Sequence, residues 1–100
     1  MIAINGTGSR TGAGNIIITS TVGKLWTIKL YLSTKKTDAT EHSVLIGNCK
    51  IAEHTSAAFN YIGAFSFSIH NGAALTLTLS GGAAGDILYY AYTGIETDAV

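Results

Sequence analysis

Three histidines and one cysteine are the side chains best suited to metal binding or nucleophilic chemistry. His42, His54, His70 and Cys49 show none of the i, i+2 or i, i+4 spacings by which compact sites gather their ligands. Residues 43–52 read as one strand, which sets His42 and His54 at its opposite ends, tens of ångströms apart. A metal held by His42 and His70 across two sheets has no further ligand to support it. Cys49 falls on the same strand face as Leu45 and Ile51, which favours a buried structural thiol over a nucleophile, and no strand-to-helix elbow surrounds any serine. Asp38, Glu41, Glu53, Asp86, Glu96 and Asp98 are assigned to loops, strand ends or the tail, so no carboxylate pair is aligned for acid–base hydrolysis. Gly6, Gly8 and Gly12 are spaced one residue too far for a dinucleotide fingerprint. The segment after them holds β-branched Ile16 to Ile18 instead of opening a helix, and no Gly-Lys-Ser/Thr follows. These residues predict no enzyme, no metal and no cofactor.

Composition narrows the partners. The 100 residues are 47% hydrophobic, include no proline, and carry six basic and six acidic side chains. A net charge of zero argues against nucleic acid, whose binding needs a basic excess. Charged residues make up 12% of the chain, about half the usual share. The start, Met1 to Gly6, lacks the basic and apolar regions of a signal peptide, and no run approaches a membrane span, so synthesis in a cytoplasm with no membrane partner is expected. A lone cysteine leaves stability to packing or assembly.

The elements that would position these groups are strands. Phe65, Phe67 and Ile69 alternate with Ser66, Ser68 and His70, and Leu75, Leu77 and Leu79 alternate with Thr76, Thr78 and Ser80. A three-residue loop, His70 to Gly72, joins them as a hairpin that pairs Phe67 with Leu75. Further strands are expected at 2–4, 15–22, 24–33, 43–52, 58–62 and 86–93, with a glycine-rich flexible loop at 5–14 and a polar loop at 33–42. About eight short antiparallel strands and no helix predict a single all-β domain over residues 1–100. The expected form is a β-sandwich, with a jelly roll as one winding and a small β-barrel as the alternative.

Face assignment then points to a surface. With Ile87, Tyr89 and Ala91 inward, Leu88, Tyr90 and Tyr92 face outward, and the Trp26 row sends Leu25 and Tyr31 outward on its own strand. Tyrosine combines apolar area with a hydroxyl and is enriched at interfaces, so Leu25, Tyr31, Leu88, Tyr90 and Tyr92 form the candidate contact surface, joined by Arg10, the one charge in its loop. Thirteen threonines, eight serines and five asparagines leave few charges to keep neutral molecules apart.

The glycine-rich segment Asn5 to Asn15, the arm Asn71 to Ser80 and the turn Gly81 to Gly85 into Ile87-Leu88-Tyr89-Tyr90 resemble, in composition and strand pattern, small all-β structural proteins of bacteriophage virions. Those are head decoration or cement proteins, minor capsid proteins and tail accessory proteins. The resemblance implies a non-enzymatic subunit that oligomerises, often as a trimer, and docks on a larger protein lattice within the virion. The competing expectation is a lectin-like carbohydrate-binding or adhesion module, with Tyr31, Tyr90 or Tyr92 stacking on sugar rings.

Overall fold

The computed structural model describes residues 1–99 and contains eight strands: β1 (Ile2–Thr11), β2 (Gly14–Thr19), β3 (Lys24–Lys36), β4 (His42–Ile46), β5 (Cys49–His54), β6 (Ala58–His70), β7 (Ala74–Gly81) and β8 (Ile87–Asp98). They form two antiparallel four-stranded sheets, ordered β1-β8-β3-β6 and β2-β7-β4-β5. The all-β sandwich expected from the alternation is what forms, and the two sheets do not close into a barrel. Pairing is nested, first strand with last (β1 with β8, β2 with β7, β3 with β6, β4 with β5), which is the winding of a jelly roll.

The core lies between the sheets. Ile28, Leu30, Leu32, Leu88 and Ile69 from one sheet meet Ile18, Val44, Leu77 and Leu79 from the other, all at most 4% exposed. Each such side chain contributes about 1.5–3 kcal/mol by leaving water. On β3 the inward row is the Trp26 row, as its alternation requires.

Several boundaries differ from the expectation, each for a local reason. The eight strands arise with two compensating changes. Residues 43–52 split into β4 and β5 at Gly47-Asn48, where Gly47 takes φ +59 at the first central position of a two-residue hairpin loop. The segments 58–62 and 64–70 instead fuse into the single β6. Most of segment 5–14 is strand, not a flexible loop, because inward Gly6 and Gly8 are roofed by the rings of their cross-strand partners Tyr92 and Tyr90. Of segment 33–42 only 37–41 is loop; β3 runs on through Lys36 because Thr34 and Lys36, although polar, are buried. The reversal at His70 to Gly72 does not make a hairpin. β6 pairs with β3 while β7 pairs with β2 and β4, so the turn carries the chain from one sheet to the other. Alternation cannot separate these cases, since Phe67 and Leu77 face the same core either way.

A β-bulge in the β3–β6 pair decides where the aromatics go. Leu32 pairs with Gly63 and Ser33 with Tyr61, leaving Ile62 as the extra residue. Beyond it, inward positions change from odd to even numbers, and Phe59 and Tyr61 turn out to solvent.

β8 passes β3 closely at Gly94, whose absent Cβ would collide with the carbonyl of Thr27 and lie 2.8 Å from the Ile28 Cα. At Gly6 the same test meets only the outer ring atoms of Tyr92, at 2.5–2.7 Å. Backbone cannot yield as a ring can. Gly94→Ala is therefore expected to cost about 1–3 kcal/mol in urea unfolding, and more than Gly6→Ala; equal costs would contradict this account of the two positions.

Candidate functional site

One end of the sandwich holds a polar cluster inside the protein. Asp86, in the loop before β8, and Lys36, at the end of β3, have fully buried side chains, and their Oδ2 and Nζ atoms lie 3.1 Å apart. Asp86 accepts from five donors. Lys36 Nζ, His42 Nδ1 at 2.8 Å and the Ala83 amide at 3.3 Å reach Oδ2, while the Thr37 amide at 2.9 Å and hydroxyl at 3.0 Å reach Oδ1. Burial alone would raise the Asp86 pKa. The Thr37 amide, then His42, Lys36 and the Thr37 hydroxyl outweigh it and hold the carboxyl well below the usual carboxylate range.

The cluster continues across the β4–β5 hairpin. Register places His42 directly opposite His54, and His42 Nε2 lies 2.9 Å from His54 Nδ1, which is also 3.3 Å from the Thr34 hydroxyl. His42 Nδ1 must donate, because its partner there is a carboxylate. With both rings neutral, His54 Nδ1 then donates to His42 Nε2, and His54 Nε2 keeps its lone pair. Burial, then His42, then Lys36 push the His54 pKa down. The chain Asp86–His42–His54 can order and relay a proton. His54 occupies the place at His42 Nε2 that a nucleophile would need, and the nearby Thr34 hydroxyl belongs to a fully buried residue.

A concentration of aromatic side chains lies on the outer face of the β1-β8-β3-β6 sheet, at the same end as the cluster. Phe59 and Tyr61 are 66% and 64% exposed, and Tyr31 is 38% exposed. Phe59 packs on Tyr89 with ring centroids 5.9 Å apart. Ser33 sits in register between Tyr61 and Tyr89, and Lys35 between Phe59 and Ile87.

The expected contact residues divide. Tyr31 is exposed, Leu25 half-buried, and Arg10 is exposed with Nη2 donating to the Ala13 carbonyl at 2.9 Å. The outward assignment of Leu88, Tyr90 and Tyr92 is corrected. Leu88 is fully buried, and Tyr90 and Tyr92 pack against the core with stacked rings 6.4 Å apart. Their face follows from the glycines opposite, Gly8 and Gly6, which leave room for rings only on the inside. Cys49 is exposed beside the turn, not buried. His42 and His54 are adjacent, not far apart, and His70 pairs with Leu25 at the opposite end of β3 from Thr34, roughly 30 Å away at strand rise.

Sequence reasoning missed Lys36, Asp86, Phe59, Tyr61 and the histidine pair. The Gly47-Asn48 dipeptide was the available signal for the pair, since a two-residue turn there brings 42 opposite 54 within one residue. No protein-family model matches the chain, and neither does any curated protein or solved structure.

Removing one partner of a buried ion pair leaves the other uncompensated, so Asp86→Ala should cost about 3–5 kcal/mol in chemical denaturation. Acid should act in two steps. A histidine whose pKa is lowered by folding binds its proton more readily when unfolded, so stability is intact above the ordinary value of 6.5 and falls as pH drops below it. Asp86, also lowered, adds a second loss below its ordinary value of 3.8. Thermal melts from pH 8 to 3 should show both steps, and His54→Gln should remove the upper one; an unchanged upper step would refute the assignment to His54.

Proposed function

We propose that this protein is a non-enzymatic structural subunit of a virion or shell, of the capsid decoration, cement or minor capsid kind. It works by associating with its own copies and docking on a larger protein lattice. The observation that carries this is the aromatic surface of exposed Phe59, Tyr61 and Tyr31 with half-buried Tyr89. A bulge is spent on turning two large rings outward, where they lower solubility unless something covers them. The low charge of the chain as a whole supports the same reading; the charges on this face are Lys35 and Lys29, whose Nζ lies 6.0 Å from the Tyr31 ring centre. Jelly rolls occur in capsid proteins, and also in lectins, so the fold adds support by analogy only.

That second use gives the competing reading. A row of rings with Ser33 and Lys35 between them could also stack on sugar rings and hydrogen-bond their hydroxyls.

Phe59→Ser/Tyr61→Ser separates the two. The assembly reading expects the wild-type mass in light scattering to rise with concentration, and the double variant, equally folded by circular dichroism, to stay smaller. A wild type that remains monomeric at about 1 mM and binds a glycan array through Tyr61 would replace it with the carbohydrate reading.

A further inference from the structure

We infer that two copies of this chain join edge to edge along β6, forming one continuous eight-stranded sheet around a two-fold axis at Phe67. This rests on the assembly reading and specifies how its first contact is made.

The recognising chemistry is a row of backbone amides and carbonyls. β6 is an edge strand of its sheet, and its 13 residues make it, with β3, the longest element of the fold. No other strand lies against its outer side among the described residues. Edge strands are commonly guarded by charge, proline or shortness. The other edges have one of these: Arg10 on β1, Lys50 and Glu53 on β5, and a length of six residues on β2. Ala58–His70 contains no lysine, arginine, aspartate, glutamate or proline.

The core is also open on this flank. Phe65 and Phe67 point inward but are only half-buried, while their register partners on β3, Leu30 and Ile28, are 0% and 3% exposed. A strand added beside β6 would cover both rings.

The straight segment Ala64–His70, on the far side of the bulge from Tyr61, is self-complementary when paired antiparallel with itself. With the axis at Phe67, Phe67 faces its own copy and Phe65 faces Ile69 of the second copy, all on the core side. On the outer side Ser66 faces Ser68 and Ala64 faces His70. Phe67 with Phe67 and Phe65 with Ile69 match apolar with apolar, Ser66 with Ser68 matches small with small, and small Ala64 leaves room for the His70 ring, so the chain itself supplies the occupant. The nearest lysines, Lys29 beside Ser66 on each copy, would be three strand spacings apart, roughly 14 Å and beyond the ~8 Å Debye length.

Ser66→Lys/Ser68→Lys tests the pairing. Both positions are exposed, so the fold should persist while four lysines meet at the axis. Sedimentation of the wild type should show a dimer, weakened by the double lysine variant at least about tenfold. In a Cys49→Ser background, Ser66→Cys/Ser68→Cys should yield a disulfide-linked dimer on oxidation. A monomeric wild type overturns the inference. So does a dimer that the lysines leave intact, or one in which those cysteines do not cross-link, as would happen if the edge takes a strand from a different protein. A dimer lost in Phe59→Ser/Tyr61→Ser but kept in the lysine variant would refute edge pairing while leaving the assembly reading in place.

Discussion

A carboxylate with no contact with water must have its charge met inside the protein, and Asp86 meets that demand with donors from three parts of the chain. Lys36 and Thr37 come from the end of β3, His42 from the start of β4, and Ala83 from the loop that leads into β8. β3 and β8 belong to one sheet and β4 to the other, so this one residue ties both layers where three connections gather. Each partner is in turn held by the carboxylate. Lys36 can be buried in the sandwich only because Asp86 is there, and its burial carries β3 several residues past the apolar part of its pattern. The same tie fixes the His42 ring, and through it the position of His54.

Two smaller devices decide which aromatic rings are used for packing and which are presented. Gly6 and Gly8 make slots on the inner side of β1, and Tyr92 and Tyr90 fill them, so a glycine-rich edge gains apolar cover from its neighbour. The bulge at Ile62 acts in the opposite sense, rotating Phe59 and Tyr61 out of the line that buries Phe65, Phe67 and Ile69. The interior thus holds tyrosines whose partners are glycines, and the exterior displays a phenylalanine that core packing does not need. That asymmetry is the physical basis of the functional reading.

Surface and edge then belong to one account. A protein with twelve charged side chains in 100 residues has little electrostatic protection, and what it has is placed unevenly. Charge stands on the edge strands β1 and β5, while β6 itself carries none, and the lysines nearest its rings, Lys29 and Lys35, belong to β3. Aromatic face and uncharged edge meet on one strand. The buried polar cluster lies at the same end of the sandwich as those rings.

Alternation of apolar and polar residues was enough, in the sequence alone, to determine an all-β protein of two opposed faces and the inward rows of β3, β6 and β7, because side-chain direction in a strand has a fixed period of two. The shortage of charge was equally legible. Period two says nothing about which strand pairs with which, so the turn at His70 to Gly72 read as a hairpin when it is a crossing between sheets. Nor can it reveal a change of phase, and one inserted residue at Ile62 moved Phe59 and Tyr61 outward. On β8 both alternating rows are apolar or aromatic, and the choice between them fell to Gly6 and Gly8 some 80 residues away in sequence, a contact that exists only after β1 and β8 pair. The cluster of Lys36, His42, His54 and Asp86 was illegible for the same reason: four polar residues dispersed over half the chain become one site when tertiary structure buries Lys36, His42 and Asp86 together and sets half-buried His54 against them.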